Sequence, residues 1–230
     1  MLINLAGMTR QTGRGFTASA FCVIACAMKR VIVYVDGFNL YHAIADLKRP
    51  HLKWVCLRAL AESLLRHGEV LKTVKYFSAY ATWMPDRYQR HREYTDALIS
   101  RGVVLHMGQF KEKPRKCMSC GARWMGHEEK ETDVQIAVHM VADALKGEVD
   151  RLIVISADTD LGPAIKMILA NTSEREVFVA TPPGRFGYCR SLGPKLELTA
   201  GRLAKCLLPE SVQIGPGKTV KRPASYAPPA

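Results

Sequence analysis

A chain of 230 residues with 48% apolar content can bury one sizeable core. Its formal net charge of +12 favours a polyanionic partner such as nucleic acid, and it has no run of 18 apolar residues, which argues against a membrane-spanning helix. The charge is uneven. Residues 1–30 carry Arg10, Arg14, Lys29 and Arg30 without an acid, and the stretch from Pro209 carries Lys218, Lys221 and Arg222 against Glu210, which leaves +6 on the body between them. Of seven cysteines, only Cys117 and Cys120 form a close motif, while Cys22, Cys26, Cys56, Cys189 and Cys206 are scattered. That usage suits a reducing compartment, so the expected location is cytoplasmic.

Basic residues precede Phe16–Ala27, a stretch with the length of a signal-peptide core that ends in small residues. The competing reading makes Met28 a natural beginning and residues 1–27 an upstream extension or disordered tail. The first strong element is Val31–Val35, a β-branched apolar run closed by Asp36-Gly37; it predicts a strand buried on both faces, as in a parallel sheet covered by helices. Leu40–Leu47 and Leu57–Leu65 repeat at helical spacing, Val74–Thr82 predicts a second strand, and Pro85–Ser100 a helix. Val103–Leu105 gives a third strand, and residues 108–128, rich in Lys, Arg and Cys, predict an irregular insertion. A helix over Glu131–Leu145, a strand over Arg151–Ser156, a helix opened by Asp160, a strand over Glu176–Ala180 and a short element at Leu196–Leu198 complete the pattern. Alternating strands and helices predict a three-layer α/β domain with a mainly parallel sheet. The Pro-, Gly- and Lys-rich residues 213–230 predict a disordered tail.

The carboxyl ends of parallel strands are where open α/β sheets bind ligands. Asp36 ends the first strand, and Asp158 and Asp160 follow the fourth. Asp133 opens the helix whose apolar face runs through Ile136, Ala137 and Met140, so its carboxylate is expected to start the buried face. Each acid alone could be a helix cap or a first-turn residue. Together they repel one another, and a site that keeps such a group ionised suits a hard cation such as Mg²⁺ or Mn²⁺, which can serve phosphodiester cleavage. A Walker loop and a G-x-G-x-x-G fingerprint are both missing from the sequence.

Three blocks, Val35–Tyr41, Glu129–Val134 with its apolar helix, and Ile155–Leu161, resemble the signature blocks of the NYN domain, and within it the LabA-like branch of the PIN-like nucleases. The resemblance spans about residues 29–212. It implies a PIN-like α/β/α fold and metal-dependent ribonuclease chemistry, a Mg²⁺ or Mn²⁺ site at Asp36, Asp133, Asp158 and Asp160, and an orienting role for Asn39 and Ser156. One departure is Ala157, where such families commonly have Gly; Ala fits unless its φ is positive.

Arg87, Arg90, His91 and Tyr94 share one helix face that can track phosphates and stack a base, or be a solvated surface. Lys111, Lys113, Arg115 and Lys116 form a basic stretch leading into Cys117 and are expected to face RNA. Cys117-x-x-Cys120 has zinc-knuckle spacing with His127 as a candidate third ligand and His106 or another cysteine as a fourth; the alternative is two free thiols. Three functions compete: a metal-dependent endoribonuclease, an RNA-binding or regulatory adaptor of the same fold with little or no catalysis, and a Toprim- or phosphatase-like site. The last is weakened because Gly37-Phe38 follows Asp36. Self-association is compatible with all three.

Overall fold

A computed structural model of the chain describes residues 28–187, 192–193 and 195–229. The signal-like stretch and the expected extension through residue 27 lie outside them. The first strand, β1 (Lys29–Asp36), leads into α1 (Gly37–Asp46), then a 3₁₀ turn (Pro50–Trp54) and α2 (Leu57–Glu62). Next come β2 (Glu69–Ala79), α3 (Pro85–Ser100), β3 (Val103–Lys116) and β4 (Arg123–Lys130). The chain continues through α4 (Thr132–Leu145), β5 (Arg151–Ile155), a 3₁₀ turn (Thr159–Leu161), α5 (Gly162–Asn171) and β6 (Glu176–Thr181). It ends with β7 (Lys195–Glu197), α6 (Ala200–Lys205) and the hairpin β8 (Ser211–Gly215) and β9 (Lys218–Lys221).

Among the described residues, seven strands form one sheet in the order β4-β3-β2-β1-β5-β6-β7, parallel except where β4 runs antiparallel to β3. The alternation of side chains along β1 explains the three layers. Val31, Val33 and Val35 pack with Leu40, Ile44, Leu57 and Leu60 on one face; Ile32 and Tyr34 pack with Ile136, Met140, Ile165 and Ile168 on the other. On that second face the Tyr34 hydroxyl and the Lys75 ammonium both donate to Asp143, each at 2.6 Å, which satisfies a buried carboxylate of α4.

Two expectations need correction. Residues 108–128 are not irregular: β3 and β4 pair from Gln109–Lys130 out to Lys116–Arg123, a hairpin projecting from the sheet's edge. Its faces are largely exposed, so no apolar alternation marks it in the sequence. Charged side chains along it also discourage pairing with a second chain. Nor do the described residues of the expected 213–230 tail, through 229, form a disordered one. Pro216-Gly217 is the turn between β8 and β9, with Gly217 at φ +67°, and Val212 and Val220 are buried against Trp54, Ala97 and Leu208. Trp54 also donates its indole N–H to the Pro209 carbonyl at 2.8 Å. A few apolar anchors hold what composition alone marks as unstructured.

Candidate metal and nucleic-acid site

The sheet reverses its winding between β1 and β5, where the next strands lie on opposite sides, and such a switch opens a crevice at the carboxyl ends. Val35 pairs with Ile155. The next residues, Asp36 and Ser156, therefore stand side by side, and the Ser156 hydroxyl donates to Asp36 Oδ2 at 2.8 Å. The same hydroxyl accepts from the Asp158 backbone N–H at 3.0 Å, so one serine ties both acid-bearing segments together. Asp36 caps α1 by accepting from the Asn39 N–H at 2.9 Å, and the Asn39 amide oxygen accepts from the Ala157 N–H at 3.1 Å. Gly37 permits this corner: a Cβ there would lie 2.7 Å from the Phe77 carbonyl oxygen and from the Tyr76 ring.

One carboxylate oxygen from each of Asp36, Asp133 and Asp158 lies within 4.8 Å of the others. Among the described residues no other trio of His, Cys, Asp or Glu is so arranged. Asp36 is buried, Asp158 half-buried and Asp133 exposed. Burial pushes Asp36 up to about 6, opposed by the bonds from Asn39 and Ser156 and reinforced by Asp133 and Asp158. Asp133 is likewise raised, by desolvation first and then by Asp158, Glu129 and Asp160. A donor set of carboxylate oxygens alone, whose mutual repulsion a cation would relieve, fits a hard divalent ion.

Asp160 stands apart from this trio. It is exposed, its backbone N–H donates to Asp158 Oδ1 at 2.9 Å, and it acts on the site through its charge on Asp133. Asp133 also differs from expectation: Thr132, Ile136 and Met140 form the buried face of α4, and Asp133, one residue on, faces the crevice. Ala157 accommodates its position, since Lys48 and Glu131 are the non-glycine residues with positive φ among those described.

Glu129 was not singled out by the sequence beyond its place in a motif block. The structure places it beside Asp36, Phe38, Asn39, His42, Asp133, Asp158 and Arg185 around a cavity of about 280 Å³. Its carboxylate accepts from the Thr132 backbone N–H at 3.1 Å and from the Thr132 hydroxyl. It thereby caps the helix that carries Asp133, at an N-terminus where a negative charge is favourable. An acid three residues before a Thr at a helix start was the available signal, obscured by Glu128 and Glu131 nearby.

The basic residues divide. Arg87, Arg90, His91 and Tyr94 line a second cavity of about 480 Å³ that adjoins the acids. Lys111, Lys113, Arg115 and Lys116 instead lie along β3 on the projecting hairpin, where Lys113 pairs with Glu128 at 2.9 Å.

Cys117 and Cys120 occupy the tip of that hairpin. Cys117 N–H donates to the Ala122 carbonyl at 2.8 Å, Gly121 N–H returns to the Cys117 carbonyl at 3.0 Å, and hydrogen bonds from Cys120 and Ser119 lower the Cys117 thiol. His127 is not brought to them. It pairs across the hairpin with Glu112, well inside the Lys116–Arg123 pair nearest the tip, and its ring stacks on Trp83 at 3.7 Å. His106 is also elsewhere, stacked on Phe77 at 4.8 Å. Among the described residues the pair supplies two of the four ligands a structural zinc needs.

Known proteins agree on the scaffold. A solved structure of a protein of unknown function from Vibrio parahaemolyticus superposes with a TM-score of 0.51 at 18% identity, covering 79% of this chain and 98% of that one. That likeness concerns the fold. A relative from Pseudomonas putida, 6-hydroxy-3-succinoylpyridine 3-monooxygenase HspA, is 28% identical over 252 residues, covering 87% of this chain and 76% of its own length. The family profile of the NYN domain matches residues 30–190, from the start of β1 past β6 and across every acid of the crevice, and on that match the chain belongs to the NYN domain family.

Proposed function

We propose that the chain is a metal-dependent ribonuclease of the LabA-like branch, hydrolysing phosphodiester bonds in the crevice between β1 and β5. The observation that carries this reading is the trio Asp36, Asp133 and Asp158, gathered from three segments within 4.8 Å at the switch point of a nuclease-superfamily fold. These three would hold Mg²⁺ or Mn²⁺. A bound divalent ion would polarise a phosphoryl oxygen and offset charge on the leaving oxygen. The chain's own residues do the positioning. Ser156 and Asn39 fix the two faces of Asp36, Ser156 aligns the segment bearing Asp158, and Glu129 fixes the helix start bearing Asp133. Arg185, paired with Asp46, stands on the crevice wall beside the place a phosphate would occupy.

The test is incubation of purified protein with labelled single-stranded and structured RNA in Mn²⁺, Mg²⁺ or EDTA. Cutting that requires the metal supports the reading. Tight binding without cutting in any metal would replace it with the adaptor. In a cutting enzyme, Glu129→Gln is expected to lower activity and metal affinity by about 10–100-fold, the usual cost of losing a group that orients a ligand. Unchanged metal titration of that variant would show that Thr132 alone suffices to set Asp133.

A second reading follows the Pseudomonas relative, whose name specifies a substituted pyridine: a small heteroaromatic compound as substrate. The aromatic cavity adjoining the acids favours it. Turnover of such compounds by this chain, with RNA left intact, would make it the better reading.

A further inference from the structure

The 480 Å³ cavity falls within the size range of small-molecule sites, about 300–1,000 Å³. Its walls are aromatic: Phe38, Tyr41, Trp83, Phe110 and Tyr226 surround a floor that includes buried Tyr76 and Ser78. Phe110 meets both Phe38 and Trp83 edge-on, at 5.6 and 4.7 Å, so these rings brace one another, and His127 stacks on one face of Trp83 at 3.7 Å. The floor is polar but uncharged. Tyr76 Oη lies 3.3 Å from His91 Nε2, and burial holds His91 down at about 4, so the imidazole is neutral near pH 7.

Three cations complete the lining. Arg87 is exposed, Lys53 and Arg90 are half-buried, and among the described residues none of the three forms an ion pair. Lys53 donates to the Tyr41 hydroxyl at 3.2 Å and sits 4.2 Å above that ring, while Arg90 is hydrogen-bonded to Tyr226. Aromatic faces beside unneutralised cations match a flat ring that carries a negative charge. The cavity also adjoins the acid crevice, because Phe38, His42 and Glu129 line both.

We infer that this cavity receives one unstacked heteroaromatic base of a single strand, its ring against Trp83 and Phe38 and its phosphate toward Arg87 and Arg90, next to the bond placed at the acids. The inference deepens the ribonuclease reading and rests on it for the source of the base. The shared chemistry is a planar heterocycle with an anionic arm, which a free pyridine carboxylate would also present. A duplex cannot offer a stacked base to such a cavity without unpairing it, so single strands are the favoured substrate.

The test is calorimetric titration in EDTA, where no cleavage occurs, with uridine 5′-monophosphate, uridine, ribose 5-phosphate and pyridine-3-carboxylate. Uridine 5′-monophosphate is expected to bind at least about tenfold tighter than uridine or ribose 5-phosphate, since each lacks one half of the recognition. Trp83→Ala is expected to weaken the nucleotide about tenfold, within the range for loss of one base stack. Arg87→Ala, at an exposed position, should weaken it similarly while leaving uridine unchanged. Equal binding of ribose 5-phosphate and the nucleotide, or wild-type affinity in both variants, overturns the inference. Binding of the pyridine acid without the nucleotide overturns the assignment to a strand. If the nucleotide binds as expected but RNA is never cut in Mn²⁺ or Mg²⁺, the cavity assignment stands and the hydrolase reading alone falls.

Discussion

Asp36→Asn is expected to abolish metal-dependent cutting and, at the same time, to make the metal-free protein more stable. Asp36 is buried and flanked by Asp133 and Asp158, and its folded pKa is about 6 against a reference of 3.8. A raised carboxyl pKa means the fold prefers the neutral form. Below 3.8 both folded and unfolded chains are protonated there and nothing is lost. As pH rises toward 6 the unfolded chain ionises first, and above 6 the folded protein carries the whole cost, about 3 kcal/mol for a shift of about two units. Asparagine removes the charge at every pH. Its amide can still accept from Asn39 and face Ser156, though more weakly than a carboxylate, so the net gain near pH 7.5 should be about 1–2 kcal/mol. Thermal unfolding in EDTA should show that gain as a rise of about 2–8 °C, shrinking toward nothing at pH 4. Mn²⁺ should then reverse the order, because it stabilises only a chain that binds it. A variant that melts below wild type at both pH values would show that Asp36 is a structural cap rather than a strained ligand.

That strain explains which parts of the site could be read in advance. Asp36 and Asp158 follow apolar runs whose meaning as buried strands is local, so their meeting at one sheet edge follows once the sheet is parallel. The pairing of Val35 with Ile155 is not local, and with it goes the bond from Ser156 to Asp36. Asp133 was found for a mistaken reason. Its helix buries the face of Thr132, and an acid one residue along faces the crevice, where partial desolvation and the neighbouring acids raise it. The projecting hairpin and the β8–β9 hairpin were missed because both carry their signal in few residues. Pro216-Gly217 in a basic stretch marks a turn only when Val212 and Val220 are seen to meet Trp54. Tyr226 then reaches a cavity built by residues far earlier in the chain, a relation that no sequence period encodes.

Glu69→Ala should produce the largest loss of stability without touching the chemistry. Arg151 is 1% exposed, and its guanidinium donates to Glu69 Oε2 at 2.8 Å; Glu69 is itself buried and also accepts from the Arg66 N–H at 2.7 Å. Removing the glutamate leaves a buried cation whose remaining contacts are weak: the Leu64 carbonyl at 3.4 Å, Glu176 Oε1 at 3.4 Å and the face of Phe178 at 4.7 Å. Breaking one side of such a pair costs about 3–5 kcal/mol, and Glu176 should keep this case near about 3. For a chain of this length that is a fall in melting temperature of about 6–12 °C. Glu69 opens β2 and Arg151 opens β5, whereas Asp36 closes β1 and Asp158 follows β5, so the pair and the acids lie at opposite ends of the same strands. Activity per folded molecule at a temperature well below the transition should therefore equal that of wild type. Replacing both partners, Glu69→Leu with Arg151→Met, should recover most of the lost stability, because an apolar pair has no charge to leave unpaired. If instead Glu69→Ala lowers activity while the protein is fully folded, the sheet transmits strain from its amino edge to the crevice. The register of β1 against β5 would then be the element that carries it.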